Sequence, residues 1–268
     1  MPPIEIHQSS LSMLLKCGLQ YQFRYIQGIK RPPGVAAHVG TGLHTGAEFC
    51  DRAFVKDGAY PEPGLMKDAV RDAVNGRFEQ EGVMMLEPTP ISEVRGQAVD
   101  RAILLAEAWR SEVAPLSEPM IVKPGEGLIE KPFNLAVKLE GFEFNLAGKI
   151  DKIDKAGAVR DLKSSAKSPA ADTADRSVQL TIYARAAAQS LKVESIPVQL
   201  DNLVSLAKGV KYVPLVSKRG PEDFQRLYHR LVPVMKQLES GIFLPASEMG
   251  WWCSPEWCGY WDICKARP

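Results

Sequence analysis

The sequence predicts a mixed α/β fold of the α+β kind, in which a helical amino-terminal region precedes a sheet-forming core. Apolar residues recur at helical spacing through most of the first 115 residues, and from Gly127 the hydrophobic pattern changes to a period of two. The 268 residues are 45% hydrophobic, which is enough to bury a sizeable core. We expect one domain over residues 1–268, comprising a helical region at 1–115, an αβ core at 125–240 and a tail at 245–268.

The amino-terminal region contains four predicted helices. The first begins at Ser9 or Ser10, either of which is a suitable cap, and it carries Cys17. After a Pro-Gly break, the segment AAHVGTGLHTGAEFCDRAF predicts a second helix that carries His44. Helical periodicity then continues over residues 65–81 and 93–113, on either side of a turn-rich EPTP sequence.

The core begins with three predicted antiparallel strands, LIEKPFNLAVKL, GFEFNLAGKIDKID and AVRDLKSS. The alanine-rich segment RSVQLTIYARAAAQSL predicts a helix after them. Two further strands, around 197–205 and 210–216, precede a helix from Glu222 to Leu238. The tail from Pro245 has no regular pattern and is rich in cysteine and tryptophan.

Composition narrows the class of protein. The 33 basic and 32 acidic residues nearly cancel, and five cysteines are too few for a disulfide scaffold. No apolar run approaches the roughly 18 residues of a membrane span, and the opening residues lack the pattern of a secretory signal. We therefore expect a soluble cytoplasmic protein without a membrane partner.

Carboxylates and a lysine lie at the ends of two neighbouring predicted strands. Asp161 and Lys163 are two residues apart, so their side chains project from the same face of a strand. Asp151 joins them if the second and third strands pair. Such a set suits Mg²⁺ or Mn²⁺ beside a cation, which is the chemistry of phosphodiester hydrolysis. The alternative is a solvated hairpin, because D-x-K alone is common.

These residues belong to a longer series of motifs. GKID at 148–151, DLK at 161–163 and QLTIY, with Gln179 and Tyr183, resemble the PD-(D/E)XK nuclease superfamily and its RecB-like branch. The GTGLH sequence matches the branch's histidine motif at His44, and Glu130 matches a glutamate that often precedes the G-x-x-D strand. The resemblance implies a restriction-endonuclease-like core, with a central mixed sheet flanked by helices.

The resemblance also implies roles for these residues. The metal would be bound by His44, Asp151, Asp161 and the carbonyl of Leu162. Lys163 would position water and stabilise the pentavalent phosphate. Gln179 and Tyr183 would orient water or DNA, although packing against the sheet is an equal alternative, and Glu130 could equally be an exposed strand residue.

Three cysteines, Cys253, Cys258 and Cys264, crowd the tail, and three thiols so close together predict a ligand set. Four thiolates suit zinc or an iron–sulfur cluster, with Cys17 or Cys50 as the fourth. The spacing resembles the iron–sulfur branch of RecB-like nucleases, which includes the CRISPR-adaptation exonucleases and the AddB nuclease domain. That resemblance implies a [4Fe-4S] cluster on Cys17 and the three tail cysteines, with Cys50 buried elsewhere. Four residues separate Cys253 from Cys258, where two are common in the branch.

The sequence therefore predicts a metal-dependent DNA exonuclease that acts on single strands or duplex ends. Endonuclease cleavage of single strands would be an additional activity. Its setting would be recombination, repair, phage replication or CRISPR adaptation, as a homo-oligomer or with a partner protein. One alternative is a catalytically silent subunit with a nuclease fold that binds DNA or assists assembly. Another is a zinc-stabilised interaction module.

Overall fold

The computed structural model describes residues 4–85 and 87–268, apart from the side chain of Ile4. It has a mixed α/β fold with a central mixed sheet flanked by helices, which confirms the predicted fold class. The chain divides into two compact units. The terminal unit comprises residues 1–32, 132–148 and 221–268, and the core unit comprises 33–131 and 149–220.

Most of the α-helices lie close to their predicted positions, although the sequence did not predict a helix at Thr173–Arg176. The α-helices are α1 (Gln8–Lys16), α2 (Gly18–Tyr21), α3 (Val35–Asp57), α4 (Pro63–Glu81), α5 (Ile91–Ala108), α6 (Thr173–Arg176), α7 (Val178–Leu191) and α8 (Pro221–Ser240). Two π-helical turns extend α2 and α5, at Gln22–Ile26 and Trp109–Val113, and a 3₁₀ turn follows at Ala114–Leu116. Within the described residues, no helix is long and apolar enough to cross a membrane.

The strands are β1 (Ile4–His7), β2 (Ile121–Lys123), β3 (Glu126–Gly127), β4 (Ile129–Leu139), β5 (Phe142–Ile153), β6 (Val159–Ser165), β7 (Ile196–Ser205) and β8 (Val210–Arg219). The three strands predicted first in the core are β4, β5 and β6. The sequence did not predict β1, which pairs parallel with Phe144–Ala147 of β5 in the terminal unit, or the short β2–β3 ribbon.

Strands β5 and β6 pair over a very short distance in the core unit. Their register joins Lys152 to Arg160 and Ile153 to Val159, and the two strands then diverge. On its other side, β6 pairs in parallel with β7 along its whole length, and β7 in turn pairs antiparallel with β8. The divergence leaves β6 beyond Arg160 open towards β5, so backbone groups there can bond to side chains.

Helices α3, α4 and α5 pack around one buried apolar cluster, which also includes Leu162 of β6. Gly42 permits this packing, because a Cβ atom there would lie 2.6 Å from Val74 Cγ2 and 2.8 Å from Ala102 Cβ. The close approach fixes the position of α3, and with it His44, two residues further along the helix.

The first predicted helix is interrupted, so the prediction that a helix carries Cys17 is wrong. Helix α1 ends at Lys16, and Cys17 adopts an extended backbone with φ −161° and ψ 111°. Gly18 follows, and a Cβ atom there would lie 2.7 Å from the carbonyl oxygen of Leu244. Glycine is a weak helix former, and here its small size permits that close backbone contact.

Candidate metal centre and cysteine cluster

Three side chains of the core unit converge on one point. His44 of α3, Glu130 of β4 and Asp151 of β5 each offer one ligand atom, and these atoms lie within 4.8 Å of one another. His44 Nδ1 is 3.6 Å from Asp151 Oδ2. A cavity of about 20 Å³ lies beside them, which is room for about one water or one metal ion. The donor set of one imidazole and two carboxylates suits a divalent cation.

Glu130 of this group has an unusual backbone conformation. Its φ of 48° lies in the left-handed region, which is uncommon for a residue other than glycine. Its side chain is 14% exposed, and Lys149 Nζ lies 2.6 Å from Glu130 Oε2. Strand periodicity did not distinguish this inward orientation from an exposed glutamate.

Asp151 is held by the backbone of the neighbouring strand. The amide of Leu162 donates to Asp151 Oδ2 at 3.0 Å, where β6 has diverged from β5. Burial, and then the charge of Asp161, raise the pKa of Asp151 to about 6, although His44, Lys163 and the Leu162 amide oppose that rise. The structure therefore brings the Leu162 amide to Asp151, whereas the sequence resemblance implied a role for the Leu162 carbonyl.

Asp161 and Lys163 form an ion pair next to this group. Lys163 Nζ lies 2.9 Å from Asp161 Oδ1, and the Asp161 side chain is 2% exposed. Burial alone would lower the pKa of Lys163, but the charges of Asp161 and Asp151 raise it above the ordinary value. Lys163 therefore stays protonated. Among the described residues, Asp161 is outside the three-ligand group that contains Asp151.

Gln179 and Tyr183 lie one turn apart on α7. Gln179 Nε2 donates to the Tyr183 hydroxyl at 2.9 Å. Burial, and then the negative charge of Asp151, raise the pKa of Tyr183, which places its hydroxyl within electrostatic range of the carboxylates. The pair therefore lies beside the candidate metal centre, whichever of the two predicted roles it has.

A buried ion pair that the sequence did not predict lies in the wall of the same cavity. Lys152 Nζ lies 2.9 Å from Asp51 Oδ2 and 5.0 Å from the centre of the Trp109 ring. Burial raises the pKa of Asp51 to about 6. Helical spacing could have indicated this residue, because Asp51 follows His44 by about two turns of α3.

The four predicted cluster cysteines line one cavity of the terminal unit. Cys17, Cys253, Cys258 and Cys264 share it with apolar and aromatic residues. Burial, and then the thiolate charges of Cys258, Cys17 and Cys264, raise the pKa of Cys253. The sulfur of Cys253 thus lies within electrostatic range of the other three sulfurs.

Polar groups also face the cysteines. Gln20 Nε2 donates to Cys258 Sγ at 3.3 Å. Trp252 lines the same cavity, and its buried Nε1 has no hydrogen-bond partner within the described part of the chain. Cys50 belongs to the core unit, where it is buried, as predicted, with Arg110 Nη1 3.9 Å from its sulfur.

The profile of the PD-(D/E)XK nuclease superfamily matches residues 6–265. No curated protein matches the sequence.

Two solved structures are similar to the chain. A candidate exonuclease from Eubacterium rectale is 12% identical, with 87% of this chain and 78% of that chain covered and a TM-score of 0.47. A protein named SSO0001 is 15% identical, with 96% and 97% covered and a TM-score of 0.37. Both TM-scores are below 0.5, so neither likeness defines an activity for this chain.

Proposed function

This chain belongs to the PD-(D/E)XK nuclease superfamily, and from that premise we propose that it is a metal-dependent DNA exonuclease of the RecB-like branch. The observation that carries the proposal is the convergence of His44, Glu130 and Asp151 beside the Lys163–Asp161 ion pair. The intact set of acids and lysine favours catalysis over a silent subunit, which would have no chemical need of it.

His44, Glu130 and Asp151 would hold Mg²⁺ or Mn²⁺, with Asp161 as a further carboxylate. The bound ion supplies Lewis-acid polarisation of the scissile phosphate and of the attacking water. The Leu162 amide keeps the Asp151 carboxylate in place, and Lys149 does the same for Glu130. Lys163 contributes a positive charge that stabilises the negative charge developing on the pentavalent phosphate.

Metal binding is expected to weaken in acid, because the Asp151 carboxylate must lose its proton to bind a cation. A pKa of about 6 leaves roughly one tenth of this group ionised at pH 5 and nine tenths at pH 7. We predict that the affinity for Mn²⁺, measured by calorimetry without DNA, falls about tenfold from pH 7 to pH 5. An affinity that is the same at both pH values would contradict the assignment of Asp151.

Substrates of different topology test the exonuclease proposal. With Mg²⁺ or Mn²⁺, we expect linear DNA with a free end to be degraded to nucleotides and covalently closed circles to persist. Blocking either the 5′ or the 3′ end then identifies the end at which digestion starts. Cutting of single-stranded circles would add the endonuclease activity, whereas circles and linear DNA degraded at equal rates would exclude an exonuclease.

We further propose that Cys17, Cys253, Cys258 and Cys264 bind a structural [4Fe-4S] cluster. The apolar and aromatic residues that share the cavity with these cysteines would shield a bound cluster from water. Gln20 and the Trp252 indole supply N–H donors of the kind that stabilise cluster sulfurs.

The fifth cysteine provides a matched control for the cluster. We predict that Cys17→Ser and Cys258→Ser proteins, purified without oxygen, lose most of their iron and acid-labile sulfide. Cys50→Ser should retain both, because Cys50 belongs to the core unit. A wild-type protein that contains zinc but no iron or sulfide would disprove the cluster.

A further inference from the structure

A buried ion pair joins the two elements that carry His44 and Asp151. Lys152 of β5 directly follows Asp151, and Asp51 of α3 follows His44 by about two helical turns. Lys152 Nζ lies 2.9 Å from Asp51 Oδ2 and 3.2 Å from Asp51 Oδ1, so both carboxylate oxygens face the ammonium group. The two side chains are only 7% and 4% exposed. The proposed chemistry of cleavage uses neither residue.

The surroundings of this pair hold the Lys152 ammonium group in one place. Lys152 Nζ donates to Ser117 Oγ at 2.9 Å. The same nitrogen lies over the Trp109 ring, 5.0 Å from its centre, where the face of the ring attracts a cation. Because a carboxylate, a hydroxyl and an aromatic ring surround the ammonium group, Lys152 is fixed in the interior.

The pair lies in the wall of the cavity beside the candidate metal centre. The residues that line this cavity include His44, Glu130 and Asp151 as well as Asp51 and Lys152. Among the described residues, Asp51 is outside the group of three that offer ligand atoms. The pair can therefore affect a bound metal either through its charges or by positioning the residues that hold the metal.

The geometry of α3 and β5 favours positioning. In the described part of the chain, two ion pairs join these elements, His44 with Asp151 and Asp51 with Lys152. The first pair is 3.6 Å long, which is too far for a hydrogen bond, so the buried second pair is the firmer link. The two links are about 10 Å apart along α3, since a helix rises about 1.5 Å per residue. Two separated contacts fix the orientation of a helix on a strand, whereas one contact does not.

We propose that the Asp51–Lys152 pair positions the metal ligands, by holding α3 against β5 where these elements supply His44 and Asp151. The inference deepens the proposed function and rests on it, because that function supplies the metal. Asp51 and Lys152 are positioning residues, which act through the ligands and contact neither metal nor DNA. Loss of either partner lets His44 and Asp151 move apart and weakens metal binding.

The direction of the change in metal affinity separates positioning from an effect of charge. If the pair acted only through its charges, Lys152→Met would strengthen the binding of a divalent cation and Asp51→Asn would weaken it. Positioning weakens binding in both variants, because either change breaks the same contact. The affinity for Mn²⁺ is measured by calorimetry without DNA at pH 7.5, where carboxyl groups with a pKa of about 6, such as Asp51 and Asp151, are mostly ionised.

We expect Lys152→Met and Asp51→Asn each to bind Mn²⁺ about tenfold more weakly than the wild type, a loss typical of removing a residue that orients a metal ligand. The double variant leaves no unpaired charge in the interior, so it folds even if a single variant does not. It should bind Mn²⁺ about as weakly as each single variant, because each single change already breaks the contact. A pure charge effect would instead largely cancel in the double variant.

Two variants of the same unit serve as controls. Arg219→Met removes a buried cation that donates to Thr181 and is not among the described residues that line the cavity. Arg95→Ala removes an exposed cation that pairs with Glu79. Both control proteins should keep the wild-type affinity for Mn²⁺, which shows that a loss of stability alone does not weaken metal binding.

Crystal structures of the metal-free proteins supply a second measurement that does not depend on the metal. In the double variant, we expect the distance from His44 Nδ1 to Asp151 Oδ2 to exceed the 3.6 Å of the wild type by more than about 0.5 Å. A distance that stays at the wild-type value would overturn the positioning role.

The results separate the positioning role from the nuclease assignment. Unchanged Mn²⁺ affinity in the folded variants, or opposite changes in Lys152→Met and Asp51→Asn, overturns the positioning role even if the wild type digests DNA. If the wild type binds no Mn²⁺ and cleaves no DNA, the proposed nuclease function fails. A longer distance between His44 and Asp151 in the double variant would then still support the role of the pair in holding α3 against β5.

Discussion

Replacing Lys163 with alanine is expected to reduce DNA cleavage by about a thousandfold while leaving the protein folded. The Lys163 ammonium lies 2.9 Å from Asp161 Oδ1 and stays protonated beside Asp161 and Asp151. In our proposal it is the positive charge that meets the developing negative charge of the phosphate. Initial rates of nucleotide release from linear DNA, measured at saturating Mg²⁺, give the size of the loss.

Lys155→Ala is the matched control for this prediction. Lys155 is an exposed lysine of the same unit that pairs with Glu118, so its removal should leave the rate unchanged. Since the buried Asp161 loses its partner in Lys163→Ala, we include Lys163→Met, which keeps much of the side-chain packing. Near-wild-type cleavage by both folded Lys163 variants would refute the catalytic assignment.

Arg160→Met is expected to lower the free energy of unfolding by about 3–5 kcal/mol, because it leaves buried carboxylates without their counter-charge. Arg160 Nε and Nη2 donate to the two oxygens of Asp201 at 2.8 and 2.7 Å. Its Nη1 donates to Asp154 Oδ2 at 3.1 Å. All three side chains are buried. Urea unfolding of wild-type and variant proteins measures the difference.

Arg95→Ala again provides the comparison, since Arg95 forms an exposed pair with Glu79 at 3.6 Å. Such surface pairs contribute about 0–1 kcal/mol, so this variant should unfold close to the wild-type midpoint. Arg160→Lys should lie in between, because lysine keeps the charge but cannot donate from two positions of a planar group. Equal stabilities of Arg160→Met and the wild type would show that this network contributes little.

The fold was largely predictable because hydrophobic periodicity is a local property of the chain. The pattern of AVRDLKSS predicts strand β6, and the two-residue period of a strand predicts that Asp161 and Lys163 lie on the same face. Helix α3 follows from its apolar spacing, although the sequence could not show that Gly42 brings α3 close to α4 and α5. Close packing depends on partners that are distant in the sequence.

Long-range partners explain what the sequence did not predict. Asp154 stands in an alternating I-D-K-I-D-K pattern that is typical of a surface strand, yet its side chain is buried and pairs with Arg160 in the interior. Glu130 has a positive φ and contacts Lys149, and no local pattern in the sequence indicates either feature. The interruption at Cys17 likewise depends on a backbone contact between Gly18 and Leu244.

The central claim is that a divalent cation held by Asp151 and its neighbours is required for DNA hydrolysis. The most direct test measures the rate of nucleotide release from linear DNA as Mn²⁺ is added to metal-free wild-type protein and to Asp151→Asn. We predict that the wild-type rate rises from zero to saturation as Mn²⁺ is added and returns to zero with EDTA. The folded variant should stay at least a hundredfold slower, because removing one group that stabilises the transition state causes a loss of about that size. Cleavage that persists in EDTA, or an Asp151→Asn protein as active as the wild type, would contradict the account.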